Sequence, residues 1–209
     1  MNIRWIFFDV GYTLVNEDAV WQRRFEEQSQ TAQALKLGLT PEVIRREVER
    51  SSRERKPQYR SFIQKYSLAP SAPYRHELET PYPEAKEVLR VLSNRFQLGI
   101  IANQTAGLDE RPSRWGLLPY LSLVVSSWEQ QVMKPDPRLF EIALQKADCP
   151  GCEAVMVGDR LDNDIQPAKA LGMHTVRILQ GFGALQHPSS ELDTPDFTIA
   201  RLSELTALF

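Results

Sequence analysis

The sequence predicts an α/β protein with a doubly wound parallel sheet, into which an all-α cap is inserted. Three observations lead to this fold class. Buried strand patterns recur along the chain, amphipathic helical patterns separate them, and one long segment contains helical patterns only. With 209 residues, 42% of them hydrophobic and 25% charged, the chain can bury one core and a small appended helical bundle.

The predicted strands are short apolar runs. Residues 3–10, "IRWIFFDV", are nearly all apolar or aromatic, which is typical of a strand buried on both faces. Similar runs occupy residues 96–103, 121–127, 153–159 and 174–179, and a shorter one, "DFTI", lies near the end. The segments "YPEAKEVLRVLSN", "PDPRLFEIALQKA" and "DIQPAKALG" between them have helical periodicity. In such a fold, ligands bind beyond the carboxyl ends of the strands.

The segment from residue 16 to residue 79 has no convincing strand pattern. One predicted helical face is formed by Val20, Trp21, Phe25, Ala32 and Leu35. Gly38 is a predicted C-cap, and Thr40 followed by Pro41 is typical of a helix start. A third short helix follows Pro57, and a proline-rich stretch before residue 84 reads as the return linker. We therefore expect residues 16–79 to form a helical cap domain, and residues 1–15 and 80–209 the α/β core domain.

Composition restricts the classes of partner. The formal net charge of −2 argues against binding to nucleic acid, which requires a basic excess. The apolar runs are too short for a membrane span and no signal-peptide pattern is present, so we expect no membrane association and a cytoplasmic location. Cys149 and Cys152 have no matching Cys or His pair and are expected to be incidental thiols. The sequence does not indicate an oligomeric state.

Aspartates follow two of the predicted strands. Asp9 ends the first strand, and Asp159 ends the fourth, with Asp162 and Asp164 in the same loop. Each aspartate alone could be solvated or cap a helix. Carboxylates gathered at neighbouring strand ends repel one another unless a cation shares the site, so their joint placement predicts a divalent metal site, most simply Mg²⁺.

Three further residues fit an anion site at the same edge of the sheet. Asn103 and Thr105 follow the second predicted strand, where they could donate hydrogen bonds to an anionic oxygen, although turn chemistry would also favour them. Lys134 precedes Pro135 at a predicted helix entrance, where its backbone is biased towards an extended conformation. We expect Lys134 either to be solvated or to bind phosphate.

The ordered motifs "FFDVGYTL", "GIIANQT", "KPDP" and "VGDRLDND" resemble the haloacid dehalogenase superfamily of hydrolases, in its helical-cap branch with a Rossmann-like core. The resemblance covers essentially the whole chain. It implies a Mg²⁺-dependent hydrolase that acts on a small phosphorylated metabolite through an aspartyl-phosphate on Asp9. It also implies that Asn103 and Lys134 bind the phosphoryl group, and that Asp9, the Gly11 carbonyl and Asp159 bind the metal, supported by Asp164.

Two positions depart from the family pattern. The phosphatases of this family usually have a second aspartate where this chain has Gly11, and that residue protonates the leaving oxygen and then activates water. Ser or Thr usually stands at the position of Ala102. A slow or leaving-group-sensitive phosphatase is therefore expected.

Two alternatives stay open. The dehalogenases of the family also lack the second aspartate, but they lack the metal-binding acids that "GDRLDND" contains. A catalytically silent protein that binds Mg²⁺ and a phosphorylated ligand is the other alternative.

Overall fold

The structure is a computed structural model that describes residues 2–104 and 111–209. Its strands are β1 (Trp5–Phe8), β2 (Val15–Asn16), β3 (Thr80–Pro81), β4 (Gln97–Ala102), β5 (Leu123–Ser126), β6 (Ala154–Gly158), β7 (His174–Ile178) and β8 (Phe197–Ile199). Six of them form one parallel sheet in the order β5-β4-β1-β6-β7-β8, and β2 pairs with β3 in an antiparallel ribbon. All six strands predicted from the sequence are present.

Helices within the described residues are α1 (Asp18–Ser29), α2 (Ala32–Lys36), α3 (Pro41–Arg53), α4 (Gln58–Lys65), α5 (Ala85–Leu92), α6 (Arg111–Arg114), α7 (Ser127–Gln130), α8 (Arg138–Lys146), α9 (Gln166–Ala170) and α10 (Leu205–Leu208). A π-helical turn, Leu161–Ile165, leads into α9. None of the helices in these ranges is both long and apolar enough to cross a membrane.

The sheet is covered by helices on both faces. Successive residues of β1 point to opposite sides, as the pleat requires. Ile6 and Phe8 belong to the cluster that includes α5 and α10, whereas Trp5 and Phe7 pack in the cluster that includes α8. All four β1 side chains are buried, which explains why β1 has an apolar residue at every position. A parallel sheet with helices on both faces confirms the doubly wound α/β prediction.

Helices α1 to α4 pack around their own apolar cluster. It includes Phe25, Ile44 and Phe62, and it also takes in Tyr12 and Phe182 from outside the helical segment. The segment enters and leaves through the β2–β3 ribbon, in which Val15 pairs with Pro81 and Asn16 with Thr80. The domain boundaries at 15/16 and 79/80 remain our proposal.

The first predicted helical face is interrupted in the structure. Helix α1 ends at Ser29, and α2 begins after Thr31, whose hydroxyl accepts a hydrogen bond from the Ala34 N–H. As a result, Leu35, which was expected on the buried face, is 61% exposed. The predicted start of α3 is correct, with Thr40 as N-cap and Pro41 as the first helical residue.

Candidate active site

Strands β1 and β6 bring three carboxylates together at their carboxyl ends. Asp9 follows β1 directly, and its backbone N–H donates to the Val157 carbonyl at 2.9 Å. Asp159 follows β6, and Asp164 lies in the π-helical turn after it. One oxygen from each of these three carboxyl groups lies within 4.8 Å of the others. The predicted clustering of Asp9, Asp159 and Asp164 is therefore present.

Two glycines make room for these carboxylates. A Cβ atom at Gly158 would lie 2.5 Å from the side chain of Asp164, and one at Gly183 would lie 2.2 Å from Oδ2 of Asp159. Both separations are shorter than any van der Waals contact. Glycine at each position therefore permits the carboxylates to approach the backbone closely.

Lys134 is the cation at the centre of the cluster. Its Nζ donates to Oδ1 of Asp9 and to Oδ1 of Asp164, both at 2.6 Å, and to the Ile101 carbonyl at 3.0 Å. Its side chain is only 2% exposed. Burial lowers the pKa of Lys134, but the carboxylates of Asp164 and Asp9 offset this effect and raise the pKa above its ordinary value. The ammonium group is therefore fixed beside Asp9 with its charge retained.

The Asn103 side chain holds the backbone of Lys134. Its Nδ2 donates to the Lys134 carbonyl at 2.8 Å, and its Oδ1 accepts from the Lys134 N–H at 2.7 Å. Asn103 also lines the cavity above Asp9. Its amide nitrogen carries two hydrogens, and only one of them is donated to the Lys134 carbonyl, so the second is available to a ligand. The sequence indicated a phosphate contact at Asn103 but not this second contact. Thr105, the other predicted binding residue, lies outside the described residues.

The carboxylate cluster carries more negative charge than Lys134 compensates. Burial, followed by the charges of Asp164 and Asp9, raises the pKa of Asp159 well above its ordinary value. Burial raises the pKa of Asp164 to about 6, although Lys134 opposes the shift. Within the described ranges, no group donates a hydrogen bond to the Asp159 carboxylate. Buried, mutually repelling oxygen donors of this kind fit a hard divalent cation such as Mg²⁺.

A cavity of about 400 Å³ opens above these residues. Its floor includes Asp9, Lys134 and Asp159, and its walls include Gln58 of α4 and Tyr74 from the segment predicted as a return linker. Helical-segment residues therefore cover the strand ends, as expected for a cap. The volume suits a small-molecule ligand.

Glu17 is a cavity residue that the sequence did not indicate. It directly precedes α1 and is only 8% exposed, and its Oε2 accepts a hydrogen bond from Nε1 of Trp21 at 3.0 Å. Burial raises the pKa of Glu17 to about 7; the neighbouring Tyr74 hydroxyl and the hydrogen bond from Trp21 oppose the shift, and the charge of Asp9 adds to it. No sequence motif marks this residue, because a glutamate at a helix start is common on a solvated surface.

A buried ion pair lies beside the cavity and was also not predicted. Nη1 of Arg111 contacts Oε1 and Oε2 of Glu79 at 2.8 and 3.0 Å, and both side chains are almost fully buried. Arg111 also donates to Nδ1 of His76 and to Gln104, and the latter two residues line the cavity. Glu79 and Arg111 are 32 positions apart in the sequence, so this ion pair becomes evident only in the folded chain.

Together, the sheet and its strand-end carboxylates define the class: an α/β protein with a carboxylate-lined cavity between a parallel sheet and a helical segment. The family follows from comparison with known sequences. This chain belongs to the family of haloacid dehalogenase-like hydrolases, whose model matches residues 6–178.

Relatives with assigned activities match part of the chain. The glyceraldehyde 3-phosphate phosphatase of Methanopyrus kandleri is 39% identical over 127 residues, which are 60% of this chain and 54% of that protein. The chain thus aligns with about half the length of this curated relative.

Solved structures match over the full length at low identity. YfnB of Bacillus subtilis, solved bound to magnesium, has a TM-score of 0.73 at 18% identity, covering 100% of this chain and 99% of that one. The L-2-haloacid dehalogenase of Xanthobacter autotrophicus, with chloropropionic acid covalently bound, has a TM-score of 0.69 at 18% identity, covering 99% and 98%. At these identities the likeness establishes the fold alone.

Proposed function

We propose that this protein is a Mg²⁺-dependent phosphatase that hydrolyses a small phosphorylated metabolite through a phosphoaspartyl intermediate on Asp9. One observation carries the proposal. Asp9, Asp159 and Asp164 lie within 4.8 Å of one another beside the buried ammonium group of Lys134. Metal-assisted phosphoryl transfer through a covalent intermediate uses such a combination of a nucleophile, a metal site and a fixed cation. The phosphatase activity of the Methanopyrus kandleri relative supports the same assignment.

Asp9 is the nucleophile in this proposal. Its carboxylate oxygen attacks phosphorus, and the bond from phosphorus to the leaving oxygen breaks. Water then attacks the phosphorus of the aspartyl-phosphate, which releases inorganic phosphate and restores Asp9. The chain presents Asp9 at a rigid strand end, so little reorganisation is needed for attack.

Positive charge at the site reduces the repulsion between the anionic nucleophile and the anionic phosphate. Asp9, the main-chain carbonyl of Gly11 and Asp159 would hold Mg²⁺, supported by Asp164. When bound, Mg²⁺ supplies positive charge that offsets the repulsion among carboxylates and phosphoryl oxygens. Lys134 supplies a second positive charge, and Asn103 fixes its backbone and lines the cavity where the phosphoryl group would bind.

A dehalogenase is the second candidate, favoured by one observation. Gly11 carries no carboxylate, as in the family's dehalogenases. In that case Asp9 would attack carbon and displace halide. The buried acids beside Asp9 favour the phosphatase, because they provide a metal site for which carbon attack has no need.

The two candidates are separated by a substrate panel. Purified protein is assayed for phosphate release from phosphorylated metabolites and aryl phosphates, with Mg²⁺ or with EDTA, and for halide release from 2-haloacids. We expect Mg²⁺-dependent phosphate release that Asp9→Asn abolishes and that the control Asp148→Asn, at an exposed residue, retains. Halide release would favour the dehalogenase. Binding of beryllium fluoride without turnover of any substrate would indicate a silent binding protein instead.

A further inference from the structure

We infer that Glu17 supplies the proton-relaying carboxylate of this site, in place of the side chain that Gly11 lacks. The inference rests on the proposed phosphatase function and deepens it. From Gly11 alone one expects a slow enzyme without general acid–base help. The fold provides that help from another position in the chain.

The position of the Glu17 carboxyl group is the first argument. A Cβ atom built on Gly11 would lie 2.2 Å from Oε1, 2.8 Å from Cδ and 3.1 Å from Oε2 of Glu17. The carboxyl group of Glu17 therefore fills the volume that a side chain at residue 11 would occupy. This volume can hold a carboxyl group that belongs to residue 11 or one that belongs to residue 17. It cannot hold both unless one side chain moves.

The Glu17 side chain is held in that position by its surroundings. Nε1 of Trp21, one helical turn further along, donates to Oε2 at 3.0 Å. The β2–β3 ribbon fixes Asn16, the residue before Glu17. Glu17 is almost fully buried, and yet it lines the same cavity as Asp9. A buried carboxyl group facing a ligand cavity is placed for proton transfer rather than for solubility.

The proton relay follows from this placement. As Asp9 attacks phosphorus, the protonated Glu17 carboxyl group gives its proton to the leaving oxygen, and an alcohol departs. The Glu17 carboxylate then takes a proton from the water whose oxygen attacks the aspartyl-phosphate. The bond between phosphorus and the Asp9 oxygen breaks, phosphate leaves, and Glu17 is protonated again. No other reactant is required.

A purely structural role for Glu17, as the acceptor for the indole of Trp21, makes a different prediction. Glu17→Gln keeps an oxygen acceptor of the same size for Trp21 but cannot relay a proton. Loss of general acid–base help costs about 10² to 10⁴ in rate. A structural role would slow every substrate by the same factor, whereas a proton relay affects poor leaving groups most.

The first experiment compares wild type and Glu17→Gln on an alkyl phosphate and on 2,4-dinitrophenyl phosphate, in Mg²⁺. We expect kcat/KM for the alkyl phosphate to fall by about 10² or more, whereas the first equivalent of dinitrophenolate is released within about tenfold of the wild-type rate. Turnover then slows and a phosphoenzyme accumulates, because no base activates water. Asp193→Asn is the matched control: it removes another buried carboxylate that does not line the cavity, and the alkyl-to-aryl rate ratio should not change.

The second experiment moves the carboxylate to residue 11. Glu17→Ala empties the volume, and Gly11→Asp/Glu17→Ala refills it from the other position. We expect the double variant to hydrolyse the alkyl phosphate at least about tenfold faster than Glu17→Ala. Gly11→Asp alone, in which two carboxylates compete for one volume, should be slower than wild type. Thermal unfolding of each variant reports whether it is folded.

The outcomes separate this inference from the proposed function. If wild type turns over phosphates and Glu17→Gln has the same alkyl-to-aryl ratio without a phosphoenzyme, the Glu17 inference is overturned and the phosphatase assignment stands. If wild type releases no phosphate from any substrate, the proposed function fails and the inference fails with it.

Discussion

Replacing Lys134 by methionine is predicted to destabilise the protein strongly, because the ammonium group lies between two buried carboxylates. Each Nζ–Oδ1 distance is 2.6 Å, so each attraction is about 6 kcal/mol at an effective dielectric constant of 20. The desolvation cost of burying the ammonium offsets much of this attraction. The net loss on removing one member of a buried ion pair is about 3 to 5 kcal/mol.

The assay is urea unfolding at pH 7 in EDTA, so that no divalent cation compensates for the missing charge. Lys169→Met is the matched control, because its partly exposed Nζ lies 3.3 Å from Asp196, and its loss should be under about 1 kcal/mol. Lys134→Met/Asp164→Asn should recover part of the stability, since one unpaired carboxylate is also removed. A loss for Lys134→Met no larger than that of the control would refute the reasoning.

Three further predictions test the site and its surroundings. Gly183→Ala places Cβ 2.2 Å from Oδ2 of Asp159 and should weaken Mg²⁺ binding measured by calorimetry, whereas Gly38→Ala, which strains a left-handed residue far from any contact, should leave it unchanged. Mg²⁺ at about 100 times its Kd should raise the free energy of unfolding by about 2.7 kcal/mol; no change in urea midpoint would contradict a metal site. Burial alone would raise the pKa of Asp193. Hydrogen bonds from the backbone of Ser190 and Ser189 and from Arg55 have the larger, opposite effect, so the pKa lies below its ordinary value. The stabilisation from Asp193 is therefore present above about pH 4 and lost in more acidic solution. The stability difference between wild type and Asp193→Asn should shrink between pH 5 and pH 2, and a constant difference would contradict this assignment.

The sheet could be predicted from the sequence because its strands are buried on both faces. Each strand then needs an unbroken apolar run, and the polar residue that follows marks its carboxyl end. Asp9 and Asp159 were placed correctly for this reason. The parallel register, in which Phe8 pairs with both Ile100 and Val157, brings their strand ends to one edge.

The parts of the site that could not be predicted depend on contacts between distant segments. In the sequence, Glu17 resembles the first residue of an ordinary helix. Only the structure shows that its carboxyl group lies against Gly11. Arg111 and Glu79 become a buried pair only when the return segment packs against the core. The break between α1 and α2 at Thr31 depends on a side-chain cap that competes with the continuing helical pattern.

The central claim, that Asp9 carries the phosphoryl group during turnover, is tested most directly by acid-quenching the reaction and analysing its peptides by mass spectrometry. We predict a phosphoryl group on the peptide that contains Asp9, formed only with substrate and Mg²⁺ and absent from Asp9→Asn. Continued phosphate release by Asp9→Asn, with no phosphorylated peptide in wild type at any quench time, would contradict the account.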